Sequence, residues 1–136
     1  MSAYKTIQCS FKDKNILLDC LKEVGYQPVV YKEKTKLTGY RGDARDQCAE
    51  IIVPRSQISP MSNDLGFAYD EEKNEYIMLC SEYDSYEGLE DKVKQSYAVT
   101  AIKVALSKNK FSIKTETKEN NKTITITAGK IIWARK

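Results

Sequence analysis

Apolar residues occupy every second position in Ile7, Cys9 and Phe11, with Gln8, Ser10 and Lys12 between them, which is the period of a half-buried strand. A strand is therefore predicted over Tyr4–Phe11. The period then changes, because Leu17, Cys20, Leu21 and Val24 share one helical face, Asp13 suits the N-cap, and Gly25 suits the position just past the end. This predicts a helix over Lys14–Val24. Pro28 to Tyr31 and Leu37 to Tyr40 read as extended pieces on either side of the polar stretch Lys32 to Lys36. Ala49, Ile51 and Val53 alternate in a strand that Pro54 closes, and the Ser-rich stretch Arg55 to Asp64, with Pro60 inside it, reads as a mobile loop.

Leu65, Phe67 and Tyr69 alternate ahead of the turn-forming Asp70-Glu71-Glu72-Lys73-Asn74, while Tyr76 to Cys80 is apolar on both faces. The pair predicts a hairpin whose second strand is central in a sheet. Leu89, Val93, Tyr97, Ala101 and Val104 recur at helical spacing and predict a long helix from about Gly88 to Ser107. Phe111, Ile113 and Thr115, an Asn120-Asn121 turn, and Thr123 to Trp133 complete a second hairpin. The order β-α-β-β-β-β-α-β-β implies an α+β fold: a single two-layer domain over residues 1–136, with a mostly antiparallel sheet and two helices on one face, related to split-βαβ and ferredoxin-like arrangements.

Composition narrows the chemistry. At 136 residues the chain can bury a core of its own, and no apolar run approaches the roughly 18 residues that span a bilayer, so a soluble protein without a membrane span is expected. Met1 to Phe11 carries neither a secretory h-region nor a transit-peptide pattern, which predicts a protein that works where it is made. The chain has no histidine, which removes Ser-His and Cys-His nucleophiles and the usual imidazole metal ligands. Cys9, Cys20, Cys48 and Cys80 lie far apart without a C-x-x-C and are expected to be reduced thiols. No catalytic residue, metal ligand or cofactor site is assigned, and an enzyme is not expected.

Charge is segregated. Residues 1–63 hold ten Lys/Arg against seven Asp/Glu, residues 64–91 one against ten, and residues 92–136 eleven against two, giving blocks of +3, −9 and +9 within a net +3. In the basic block Lys110, Lys114 and Lys118 are candidate contacts to RNA or another polyanion, although lysines alternating with apolar residues also read as a solvated strand face. The acidic block lacks the spacing of a calcium loop and reads as a solvated turn and an acidic helix start. Tyr83, Tyr86 and Tyr97 near it are candidates to line a pocket or to pack with one wet end. Arg41-Gly42-Asp43 spells the integrin tripeptide, and without an export signal it reads as coincidence.

Gly39-Tyr40-Arg41-Gly42 is the most unusual segment, since two glycines flank a Tyr-Arg pair at a strand end where a bend or a close backbone approach is expected. Tyr40, Arg41 and Asp64 are candidate residues of a small anionic-ligand site, because a guanidinium grips oxyanions bidentately. Leu37-Thr38-Gly39-Tyr40-Arg41-Gly42, Asp64-Leu65-Gly66-Phe67, Tyr76 to Leu79 and Gln95-Ser96-Tyr97-Ala98, in that order, resemble the hypothetical chloroplast reading frame thirty-five family over nearly the whole chain. The resemblance implies a plastid or cyanobacterial setting, with the bacterial cytoplasm as the alternative, and it implies no activity or cofactor. It also implies, by association alone, an AAA-type ATPase as a partner. The chain departs from the family pattern at Ser81, where an acidic residue is expected, and at Val99 and Thr100, where a histidine often stands. The leading expectation is a non-catalytic interaction or accessory module, ahead of polyanion binding and of a ligand site at Arg41.

Overall fold

A computed structural model of the chain describes residues 3–108 and, as backbone, residues 113–118, 124–128 and 131–132. Strand β1 (Tyr4–Phe11) leads into α1 (Lys14–Val24), whose start is set by Asp13: its side chain accepts from the Ile16 amide at 3.1 Å. Gly25 stops the helix in the left-handed region at φ 112°, and the amides of Gly25 and Tyr26 return to the Lys22 and Leu21 carbonyls. Next come β2 (Val29–Thr38), β3 (Ala44–Val53), a short 3-10 turn (Arg55–Gln57), β4 (Leu65–Asp70), β5 (Glu75–Ser81), α2 (Glu82–Tyr86) and α3 (Leu89–Lys108). The two extended pieces expected at 28–40 join as one strand, β2, and α2 is an addition to the expected order.

The first five strands form one sheet in the order β1-β5-β4-β3-β2, antiparallel at every pairing. The fold is α+β. β1 and β2 are the two edges, so α1 links strands that three others separate, and β5 sits inside the sheet as its two-faced apolar pattern predicted. One face carries Ile7, Phe11, Ile51, Val53, Phe67 and Met78 and is covered by Leu17, Cys20 and Leu21 of α1 and Leu89 and Val93 of α3. Helix α1 and the first turns of α3 thus lie on one face of the sheet. Phe11 anchors this layer, edge-on to Phe67 at 5.8 Å and tilted against Tyr97 at 4.8 Å. The opposite face buries a smaller set: Leu37, Ala49, Ile52, Ala68 and Leu79.

Alternation breaks in β3, where Ile51 and Val53 face the helices and Ala49 does not. The break falls where the pairing is irregular: between Val30↔Ile51 and Thr35↔Ala49 the chain takes five steps along β2 and two along β3, so β2 carries the extra residues of the bulge. The backbone divides into two compact units, Met1–Tyr97 and Ala98–Lys136. The second contains β6 (Ile113–Lys118), β7 (Ile124–Ala128) and β8 (Ile131–Ile132), which form an antiparallel three-stranded sheet in that order. The expected Asn120-Asn121 turn lies outside the described residues. No helix among the described residues is long and apolar enough to cross a membrane.

Candidate functional site

The Gly39–Gly42 segment is the turn between β2 and β3. The Gly42 amide donates to the Gly39 carbonyl at 2.9 Å and the Gly39 amide to the Asp43 carbonyl at 2.8 Å, while Gly42 has a φ of 83°. This is a three-residue hairpin loop with its glycine at the left-handed position. Gly39 serves a different need, because a Cβ there would lie 2.5 Å from both Arg45 Nε and Asp43 Oδ1, whose ion pair spans 2.8 Å. The turn displays Arg41 on the surface, its guanidinium 5.4 Å from the Tyr40 ring centroid.

Asp64 has a separate role. Its two carboxylate oxygens accept from the backbone amides of Arg55 at 2.8 Å and Thr38 at 2.9 Å, its own amide donates to the Thr38 carbonyl, and its carbonyl accepts from the Tyr4 hydroxyl at 2.7 Å. The structure therefore brings Tyr40 and Arg41 together at the turn and commits Asp64 to the backbone behind it. Tyr4, half buried, has its phenol held above its ordinary range by burial and then by the Asp64 charge. Phe67 is in the helix-side core. Of the basic candidates, Lys110 lies outside the described residues, and Lys114 and Lys118 are on β6, where the backbone alone is described.

Arg55, which the sequence offered only as the start of a loop, holds this corner together. Its Nη2 donates to the carbonyls of Tyr40 at 2.6 Å and Pro60 at 3.0 Å, and its Nε to that of Ser62 at 3.0 Å. Asn63, fully buried, accepts from the Tyr40 amide at 2.9 Å. Gln57 closes the other side by exchanging two hydrogen bonds with the Gln27 backbone. The loop expected to be mobile is thus tied at both ends, because buried backbone groups near a sheet end need partners and these side chains provide them.

Past the loop, a side-chain chain runs into the protein. Ser62 Oγ donates to Asp84 Oδ1 at 2.5 Å, Ser81 Oγ donates to Asp84 Oδ2 at 2.7 Å, and the Ser59 and Ser62 hydroxyls meet at 2.7 Å. With the single Ser62 proton given to Asp84, Ser59 must donate to Ser62. Ser81 also caps α2 by accepting from the Asp84 amide at 3.0 Å, so its hydroxyl serves here as a helix cap. Asp84 is 4% exposed and borders a cavity of about 200 Å³ that Ser59, Ser62, Tyr26, Tyr83, Glu87 and Lys92 help to line. Of the three tyrosines near the acidic segment, Tyr83 reaches this cavity, Tyr86 is 89% exposed, and Tyr97 packs on Phe11 while accepting from the Lys12 and Asp13 amides. Ser81-Glu82-Tyr83-Asp84 is a capping-box pattern that could have marked α2. Nothing in the linear sequence brings Ser62 to it.

The thiols are unpaired, and burial pushes those of Cys20 and Cys80 up to about 12 and that of Cys9 to about 11. They behave as buried hydrophobes with weak donors. Among the described residues no three Cys, Asp or Glu side chains converge as metal ligands.

The family model described as protein of unknown function (DUF1257) matches residues 20–127. The chain belongs to the DUF1257 family. That span takes in the β2–β3 turn, the Arg55 loop and Asp84, so the turn and the cavity both fall inside the DUF1257 region. No curated protein and no solved structure matches the chain.

Proposed function

We propose that this DUF1257 chain is a non-catalytic interaction module that docks an extended segment of a protein partner along the outer edge of β2. The observation that carries the reading is the run Val29-Val30-Tyr31, three consecutive large apolar residues that are 39%, 45% and 39% exposed on the last strand of the sheet. Successive strand residues point to opposite faces, so exposure on all three belongs to the edge itself. A strand added there would bond the unpaired backbone and cover apolar side chains above and below the sheet. Lys32 and Lys36, both exposed on the same strand, favour a segment that carries acidic residues.

The family resemblance in the Gly39–Gly42, Asp64–Phe67 and Gln95–Ala98 motifs supports a plastid or cyanobacterial setting, with the bacterial cytoplasm as its counterpart, and an AAA-type ATPase as the first partner to try. The test is a titration of the purified chain with the AAA-type ATPase of the same cell, with hydrogen exchange read along β2. Protection of Val29–Lys36, and an affinity about tenfold lower for Val30→Glu at unchanged fold stability, are the expected results. A complex that leaves β2 unprotected and ignores Val30→Glu, or no complex, overturns the reading.

A further inference from the structure

We propose that the cavity between the 58–62 loop and α2 is a binding site for an alkylammonium group, either the lysine side chain of a partner protein or a free primary amine. At about 200 Å³ the space lies below the 300–1,000 Å³ of pockets that take drug-sized ligands, so it suits a group of side-chain size. Its chemistry is that of a cation site. Asp84 stands at the inner end, and its two oxygens have each accepted one hydroxyl, leaving each oxygen further acceptor capacity. Glu87 adds a second carboxylate to the lining, Tyr26 and Tyr83 add aromatic side chains, and Ile58 and Leu89 supply apolar wall for a methylene stem.

Ser59 adds an acceptor to the lining, because its proton is committed to Ser62 and its oxygen, which takes the Met61 amide at 3.2 Å, keeps a further lone pair. The Asp84 charge is felt across the cavity: the Tyr26 phenol lies above its ordinary value, through burial first and the Asp84 carboxylate second. An anion would meet two carboxylates and the single Lys92. The flanking residues deepen the negative field, since Glu82 and Asp91 are exposed beside the cavity and Glu90 is already paired with Lys94 at 2.6 Å. Lys92 is the one opposing charge among the described residues of the lining, and its removal provides a variant with a sign opposite to the loss of Glu87.

The full chain is titrated with n-butylammonium, capped N-acetyl-lysine methylamide, butyrate and n-butanol, with the Ser62 and Asp84 amide resonances followed. Butylammonium is expected to shift both amides and to bind more weakly as salt rises, with affinity raised several-fold by Lys92→Glu and lowered several-fold by Glu87→Gln. Glu87 and Lys92 are exposed, so neither variant touches the buried Ser62–Asp84–Ser81 network, and Asp84→Asn, which does, is not needed. Tighter binding of the capped lysine than of butylammonium identifies a protein side chain as the source, and the reverse order identifies a free amine; both outcomes support the site. Equal shifts from butyrate or n-butanol, no shift with butylammonium, or equal affinity in both charge variants overturns it. The site is separate from the β2 edge, and loss of butylammonium binding leaves the docking result on β2 unaffected.

Discussion

Gly42 and Gly39 stand three residues apart, yet substitution at each is opposed by a different force. An alanine at Gly42 would enter the left-handed region, so Gly42→Ala is expected to lower stability by about 1–2 kcal/mol in urea titration. At Gly39 the obstacle is the Asp43–Arg45 ion pair, whose ends can swing aside, and Gly39→Ala is expected to be the milder change. Asp64 and Arg41 make a sharper contrast. Asp64→Ala strands two backbone amides, those of Thr38 and Arg55, and is expected to lower stability by about 2–4 kcal/mol. Arg41→Ala removes a surface side chain and is expected to stay within about 0.5 kcal/mol of the parent. The turn was legible in the sequence because it is local: two glycines round a Tyr-Arg pair state their own backbone needs. The work of Asp64, Arg55 and Asn63 was not, because each bonds to backbone 9 to 26 residues away and no spacing rule marks such partners.

The strands and α1 followed their periodicity, since Asp13 and Gly25 end the helix by local chemistry and the period-2 runs bury a face wherever they pair. Where pairing slips, pattern fails. Ala49 and Ile51 part company where the β2–β3 pairing is irregular, and that irregularity depends on both strands at once. Gly66 on β4 reports how closely the smaller face packs: a Cβ there would lie 2.9 Å from a Leu37 methyl and 3.0 Å from Ala49 Cβ. Gly66→Ala is accordingly expected to lower stability by about 1–3 kcal/mol through overpacking, measured by urea titration, and Leu37→Ala in the same chain is expected to relieve part of that clash. A short element such as α2 has too few residues to show a period, and only its capping serine and Asp84 announce it.

At the scale of the whole molecule, the buried thiols and the Tyr4 phenol set an alkaline limit. Cys20, Cys80 and Cys9 have folded values near 12, 12 and 11, against an ordinary value near 9, so each favours the folded state fully below pH 9, and that contribution is lost as pH rises towards the folded values. Stability is expected to fall from about pH 9 upward by roughly 1.4 kcal/mol per pH unit for each of the fully buried Cys20 and Cys80, read from urea midpoints across pH 7–11. A flat profile would contradict that burial. The segregated charge was plain in the sequence, but the gathering of Tyr26, Ser59 and Asp84 around one cavity depends on tertiary contact and was not. The central claim, that the β2 edge docks a partner, is tested most directly by a photo-cross-linking residue placed at Val30 in the native cell, with the same residue at exposed Asn15 on α1 as control. The account predicts a cross-link from Val30 alone, to one contiguous extended segment bearing apolar and acidic residues, which the corresponding synthetic peptide competes away. No cross-link, or the same partner captured equally from Asn15, would contradict it.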